Sequence, residues 1–201
     1  MVGGVPRKVV VLALLVMPVV AFVGSTPASG SEGEPVCSTP DTPSAQMELP
    51  AFNAAVISLI NQQRAAAGLK PLRPNPLLHD AAWIYTTSML SGQFFTHHGS
   101  VDGVNNGSTV IGRLRFLGYI PPGKRWIVGE DLREARVPTD TPSCVVQAWM
   151  ESPEHRERIL NRKFEEIGVD AERGIADEFP NVTGVTVAAE FGFRRFPKKK
   201  K

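Results

Sequence analysis

The chain has 201 residues, 22 basic and 20 acidic side chains, four histidines and two cysteines. Its formal charge of +2 comes from the ends: Arg7 and Lys8 stand near the start and Lys198 to Lys201 at the finish, leaving 16 basic against 20 acidic residues between them, a net of −4. That balance excludes a specific nucleic-acid binder, which needs a basic face within its fold.

Arg7 and Lys8 precede an apolar block from Val9 to Val23, broken only by Pro18, and then the small, turn-prone Gly24 to Gly30. A basic start, a short apolar core and small residues at a cleavage point (Thr26 and Ala28) are the anatomy of a secretory signal. The block falls short of the ~20 apolar residues of a membrane span. We therefore expect residues 1–28 to be a signal peptide and the protein to be exported, with no transmembrane segment in the mature chain. An exported protein with two thiols usually pairs them, so a Cys37–Cys144 disulfide is expected. Residues 29–50, rich in Ser and Pro, read as a linker, 51–196 as one folded domain and 197–201 as a basic tail. Such a tail suits weak contact with an anionic surface through Lys198 to Lys201.

From Leu49 a helical period places Phe52, Val56, Leu59, Ile60, Gln63 and Ala67 on one stripe, ended by Gly68. Asn75-Pro76 sets a cap and a first-turn proline for a second helix, with Leu78, Ala82, Tyr85 and Met89 inward. A third, short helix spans Ser108 to Leu117, and Thr141-Pro142 and Ser152-Pro153 open a fourth and a fifth. Strands are expected at Trp126–Leu132, Glu166–Ala171 and Gly184–Phe193. Helices on both sides of a small, largely antiparallel sheet, an α+β fold, is the simplest architecture for this order.

Three segments place titratable side chains beside turn formers: Phe94 to Gly99 with His97, Val128 to Asp131 with Glu130, and Trp149 to Arg156 with His155. A carboxylate in an apolar strand must be paired, hydrogen-bonded or open to a cleft. Together with Asn61-Gln62-Gln63-Arg64, Asn75-Pro76-Leu77-Leu78, Arg113-Leu114, Gly118-Tyr119, Glu166-Ile167-Gly168-Val169 and Phe191-Gly192, these segments resemble the CAP superfamily in its secreted bacterial branch. That group comprises cysteine-rich secretory proteins, antigen 5 and plant pathogenesis-related proteins.

The resemblance implies a three-layer α-β-α sandwich with a cleft lined by histidine and acidic residues. His97, Glu130 and His155 match the family's cleft positions. Asp131 stands where asparagine is usual, Glu154 replaces a glycine, and Val187-Ala188-Ala189-Glu190 replaces a last strand that reads like Trp-Thr-Gln. Glu190 adds a carboxylate to the set by strand alternation. His97, Glu130, His155 and Glu190 form a candidate site for zinc or another divalent metal, since His₂Glu with an open position occurs in hydrolytic zinc sites. An acid/base pair built on His97, Glu130 or His155 is equally consistent, as is a buried polar network holding helix to sheet. A serine hydrolase lacks its G-x-S-x-G elbow; glycoside hydrolysis by Glu130 and Glu190 is the more distant option.

The reading that remains is a monomeric extracellular binding module for a small-molecule, lipid, cell-wall or protein ligand, with a metal-dependent or acid/base hydrolase as the alternative. Ile57, Tyr85, Phe94 and Phe116 are candidates for an apolar cavity. Asp102–Gly107 and Ala135–Thr141 are candidate recognition loops, and Asn106-Gly107-Ser108 and Asn181-Val182-Thr183 are sequons.

Overall fold

The computed structural model describes residue 1 and residues 42–103, 107, 109–122, 125–178 and 180–195. The chain divides into two units, Met1–Gly33 and Glu34–Lys201, and the fold below is that of the second. The expected signal segment, Cys37, Asn106, Ser108 and the lysine tail lie outside the described residues.

Five helices follow the expected order. α1 (Leu49–Ala66) carries Pro50 in its first turn, and α2 (Pro76–Gly92) is capped by the Asn75 side chain, which accepts from Leu77 N and Leu78 N. α3 (Val110–Phe116) and α4 (Pro142–Glu151) begin at Thr109 and Thr141, whose hydroxyls cap Gly112 N and Cys144 N. α5 (Pro153–Ile159) differs: Ser152 occupies the cap position without a side-chain bond, and the same residue terminates α4. No helix among the described residues is long and apolar enough to cross a membrane.

The strands are β1 (Arg73–Pro74), β2 (Trp126–Arg136), β3 (Glu166–Arg173) and β4 (Gly184–Arg194), ordered β1-β3-β4-β2. The three long strands are antiparallel, whereas β1 runs parallel to β3, so the sheet is mixed. β1 was not expected: two residues, one a proline, carry no alternation.

Side-chain alternation divides the core. Ile167, Val169, Val187, Ala189 and Phe191 pack with Phe52, Val56, Ile60, Val145 and Trp149 of α1 and α4. On the opposite face Leu132 and Ala188 pack with Ala82, Tyr85 and Met89 of α2. The result is the three-layer α-β-α arrangement. α2 lies so close to β3 that a Cβ on Gly168 would stand 2.0 Å from His79 N.

Three details depart from the expected periodicity. Gln63 and Ala67 are exposed, and Arg64 is buried in their place, donating to the carbonyls of Lys70, Ile159, Asn161 and Phe164. Within the segment read as a linker, Ser44 is buried and its hydroxyl donates to Asp140 at 2.5 Å. Asp140, in a segment read as a recognition loop, is consequently fully buried.

Candidate functional site

The site forms around β2, an edge strand of the sheet. Glu130 and Asp131 are neighbours in the chain and so point to opposite faces. Glu130 faces the α2–α3 layer and stands directly across from Glu190 of β4. Like charges at that register are destabilising. Arg113 of α3 resolves the conflict: its Nη2 donates to both Glu130 Oε2 and Glu190 Oε1, the latter at 3.0 Å. Arg113 is fully buried, its Nη1 donates to Gly107 O, and its guanidinium lies 3.6 Å from the centroid of the Tyr85 ring.

His97 completes the cluster from the loop after α2. Its Nδ1 lies 2.7 Å from Glu130 Oε1, and its side chain is 44% exposed against 4% for Glu130. An ionised carboxylate as partner selects the tautomer with the proton on Nδ1, which leaves Nε2 as an acceptor. Tyr85 fixes the loop, donating to Thr96 O at 2.5 Å and accepting from Gly99 N at 2.9 Å. Of the two aromatics before His97, Phe94 packs against Tyr85 in the core and Phe95 is exposed.

On the other face Arg158 of α5 donates to Asp131. His155, one helical turn earlier, is half-buried and lines a pocket of about 330 Å³ with Phe95, Leu132, Arg133, Trp149 and Ser152. The structure thus brings His97, Glu130 and Glu190 together around Arg113, and places His155 in an adjoining pocket on the far side of the β2 edge.

Burial governs the electrostatics. It raises Glu130 and, still more, Glu190, which also feels the Glu130 charge; Arg113 opposes both shifts. Glu190 Oε2 is buried without a hydrogen-bond partner, an environment that disfavours the charged form. Asp131 is pushed up to about 7 by burial, against the pull of Arg158. Burial and the Arg158 charge lower both His97 and His155, so each imidazole is neutral near pH 7.

This arrangement bears directly on the four-residue metal set. Both Glu130 oxygens are engaged, by His97 and Arg113, and Glu190 is directed at the same guanidinium. Arg113 therefore supplies the positive charge that a metal ion would bring to those carboxylates. Among the described residues, no group of three or more His, Cys, Asp or Glu side chains is arranged to hold a metal ion. The two carboxylates do not fit a metal site in this geometry; only the two histidines keep free ring nitrogens for one.

Arg113 was recognisable in the sequence only as a landmark beside Leu114, yet it organises the cluster. The available signal was charge balance: two strand carboxylates in an apolar core require a buried cation.

Residues 57–187 match the family described as the cysteine-rich secretory protein family, CAP. The chain belongs to the CAP family. The CAP domain here is 30% identical over 131 residues to the uncharacterized protein YkwD of Bacillus subtilis, covering 65% of this chain but 46% of that protein, less than half its length. Among solved structures it resembles an outer surface protein of Borrelia burgdorferi, with a TM-score of 0.57, 21% identity, and coverage of 74% of this chain and 97% of that one. It also resembles an extracellular protein containing an SCP domain from Bacillus anthracis, with a TM-score of 0.54 and 22% identity over 77% of this chain and 44% of that one. At these identities the structural likeness establishes the CAP fold alone. The Arg113–Glu190 contact sits in the strand where this CAP domain departs from the expected Trp-Thr-Gln pattern.

Proposed function

We propose that this CAP domain is exported and works outside the cytoplasm as a binding module, with its ligand seated against His97 and the His155 pocket. The observation that carries the reading is the His97–Glu130 contact: an exposed imidazole held at 2.7 Å by a carboxylate that Arg113 fixes from behind. Such a group offers a ligand one oriented acceptor at a small ordering cost. Export is supported by the N-terminal segment and by two relatives titled as an outer surface and an extracellular protein. Oxidising surroundings agree with a Cys37–Cys144 bridge, and no free cysteine occurs among the described residues.

The test is chemical-shift mapping of the isotopically labelled protein with soluble cell-wall muropeptides and, separately, a sixteen-carbon fatty acid. Saturable shifts at Phe95–Gly99, Glu130 and His155, weakened at least fivefold by His97→Ala, are expected. Shifts confined to other faces, or none that saturate, would sink the reading.

The same contact supports the alternative, acid/base hydrolysis with His97 as base and Glu130 as its orienting partner. A panel of nitrophenyl esters and glycosides distinguishes the two: turnover lost on Glu130→Gln while binding persists would assign catalysis. A divalent-metal role rests on His97 and His155, and zinc titration decides it. Equal affinity in the wild type, His97→Ala and His155→Ala would end that role.

A further inference from the structure

A second concavity lies away from the His/Glu cluster, at the C-terminal end of α1. It has a volume of about 620 Å³, within the range of ligand sites. Four basic side chains line it, Arg64, Lys70, Arg73 and Arg162, against one acidic residue, Glu165. A local excess of three positive charges is notable in a domain whose folded part carries net −4.

Arg64 makes this more than a charged rim. It is 1% exposed, and its four acceptors are all backbone carbonyls. Among the described residues no carboxylate pairs with it, so its charge is uncompensated, and burial lowers its pKa with no acidic neighbour opposing. A guanidinium has five N–H donors; four meet carbonyls, the Nη2 contact being the longest at 3.4 Å. At the mouth, Lys70 and Arg162 are exposed, and Arg73 is partly neutralised by Glu165 at 3.6 Å.

We propose that this pocket binds a phosphate-bearing anion. Guanidinium forks and an ammonium group match phosphate oxygens, and the excess of three positive charges suits a multiply charged anion better than a single carboxylate. The uncompensated field of Arg64 acts through low-dielectric protein rather than water, so it is screened less than a surface charge. Phosphate could come from a soluble molecule or from a lipid headgroup, and the experiment separates the sources.

The purified full chain is titrated with pyrophosphate by calorimetry, and sedimented with vesicles of phosphatidylglycerol or of phosphatidylcholine. The variant is Lys70→Gln with Arg162→Gln, both at exposed positions, checked for an unchanged melting temperature; a second variant lacks residues 198–201. We expect saturable, salt-sensitive binding of pyrophosphate, of the anionic vesicles, or of both. It should weaken at least tenfold in the double variant and persist without the lysine tail. Pyrophosphate binding alone identifies a soluble phosphate, and vesicle binding alone a headgroup. Binding of neither probe, equal binding by the double variant, or vesicle binding abolished by tail removal alone overturns the proposal.

Discussion

At the scale of single residues, Arg113 and Glu190 make opposite predictions although they touch. Arg113 is a fully buried cation serving two carboxylates, and its removal leaves them facing each other across β2 and β4. Arg113→Met should cost about 3–5 kcal/mol, the usual penalty for breaking a buried ion pair on one side. Glu190, by contrast, is held toward its neutral form by burial and by Glu130. Glu190→Gln preserves its shape and the bond from Arg113, so it should change stability by no more than about 1 kcal/mol near pH 7. The pH dependence has a definite sign. A carboxyl whose folded pKa is raised stabilises the fold at acid pH and loses that contribution as pH rises through the raised value. Relative to wild type, Glu190→Gln should therefore gain as pH rises above the ordinary carboxylate range, as measured by urea unfolding at several pH values. A variant that instead loses ground with rising pH would show Glu190 to be ionised and stabilising. Glu130 and Glu190 were legible as candidate site residues because polar groups stand out in apolar strands, and His97 because it stands beside turn formers just past a helix end. Arg113 and Arg64 were not, because hydrophobic periodicity assigns any arginine to the outer face, and both are buried by their hydrogen bonds.

At the scale of elements, the sequence marked three helix starts with the same cap-plus-proline device, and the structure separates them. Asn75 receives two backbone donors and also gives its Nδ2 to Glu166 at 3.0 Å, tying α2 to β3. Thr141 caps Cys144 N at 3.3 Å, while Ser152 caps nothing with its side chain. Asn75→Ala should thus cost about 1–2 kcal/mol, and Ser152→Ala less than about 0.5 kcal/mol, in denaturant unfolding. Equal losses at the two positions would contradict the assignment. Gly168→Ala is the harsher change on the same α2–β3 contact. Its Cβ meets backbone atoms of Leu78 and His79 near 2 Å, so α2 must shift, at about 3 kcal/mol or more. Helices and long strands were readable because their periods differ. The parallel β1 pair and the crossing of α2 over Gly168 are long-range contacts with no local pattern to announce them.

At the scale of the whole domain, the N-terminal lead is anchored before α1 begins. Ser44 N donates to Asp140 O at 3.0 Å, its hydroxyl bonds Asp140 Oδ2, and Arg173 holds Met47 O at 2.9 Å. These contacts place the lead beside the start of α4, where Cys144 is 8% exposed and Asp140 lies four positions earlier. Cys37 precedes Ser44 by seven residues, a reach of up to about 25 Å, so a bridge to Cys144 closes a loop already drawn together. Because part of that closure is achieved by native contacts, the bridge should act mainly on the unfolded chain. We expect replacement of both cysteines by serine to cost about 2–4 kcal/mol, lowering Tm by roughly 5–15 °C, while the Ser44–Asp140 contact persists. Alkylation of the purified protein without reduction should label neither cysteine, and both after reduction. Two thiols that label freely, with an unchanged melt in the serine variant, would remove the bridge and leave the lead held by its packing and by the hydrogen bonds of Ser44, Asp140 and Arg173.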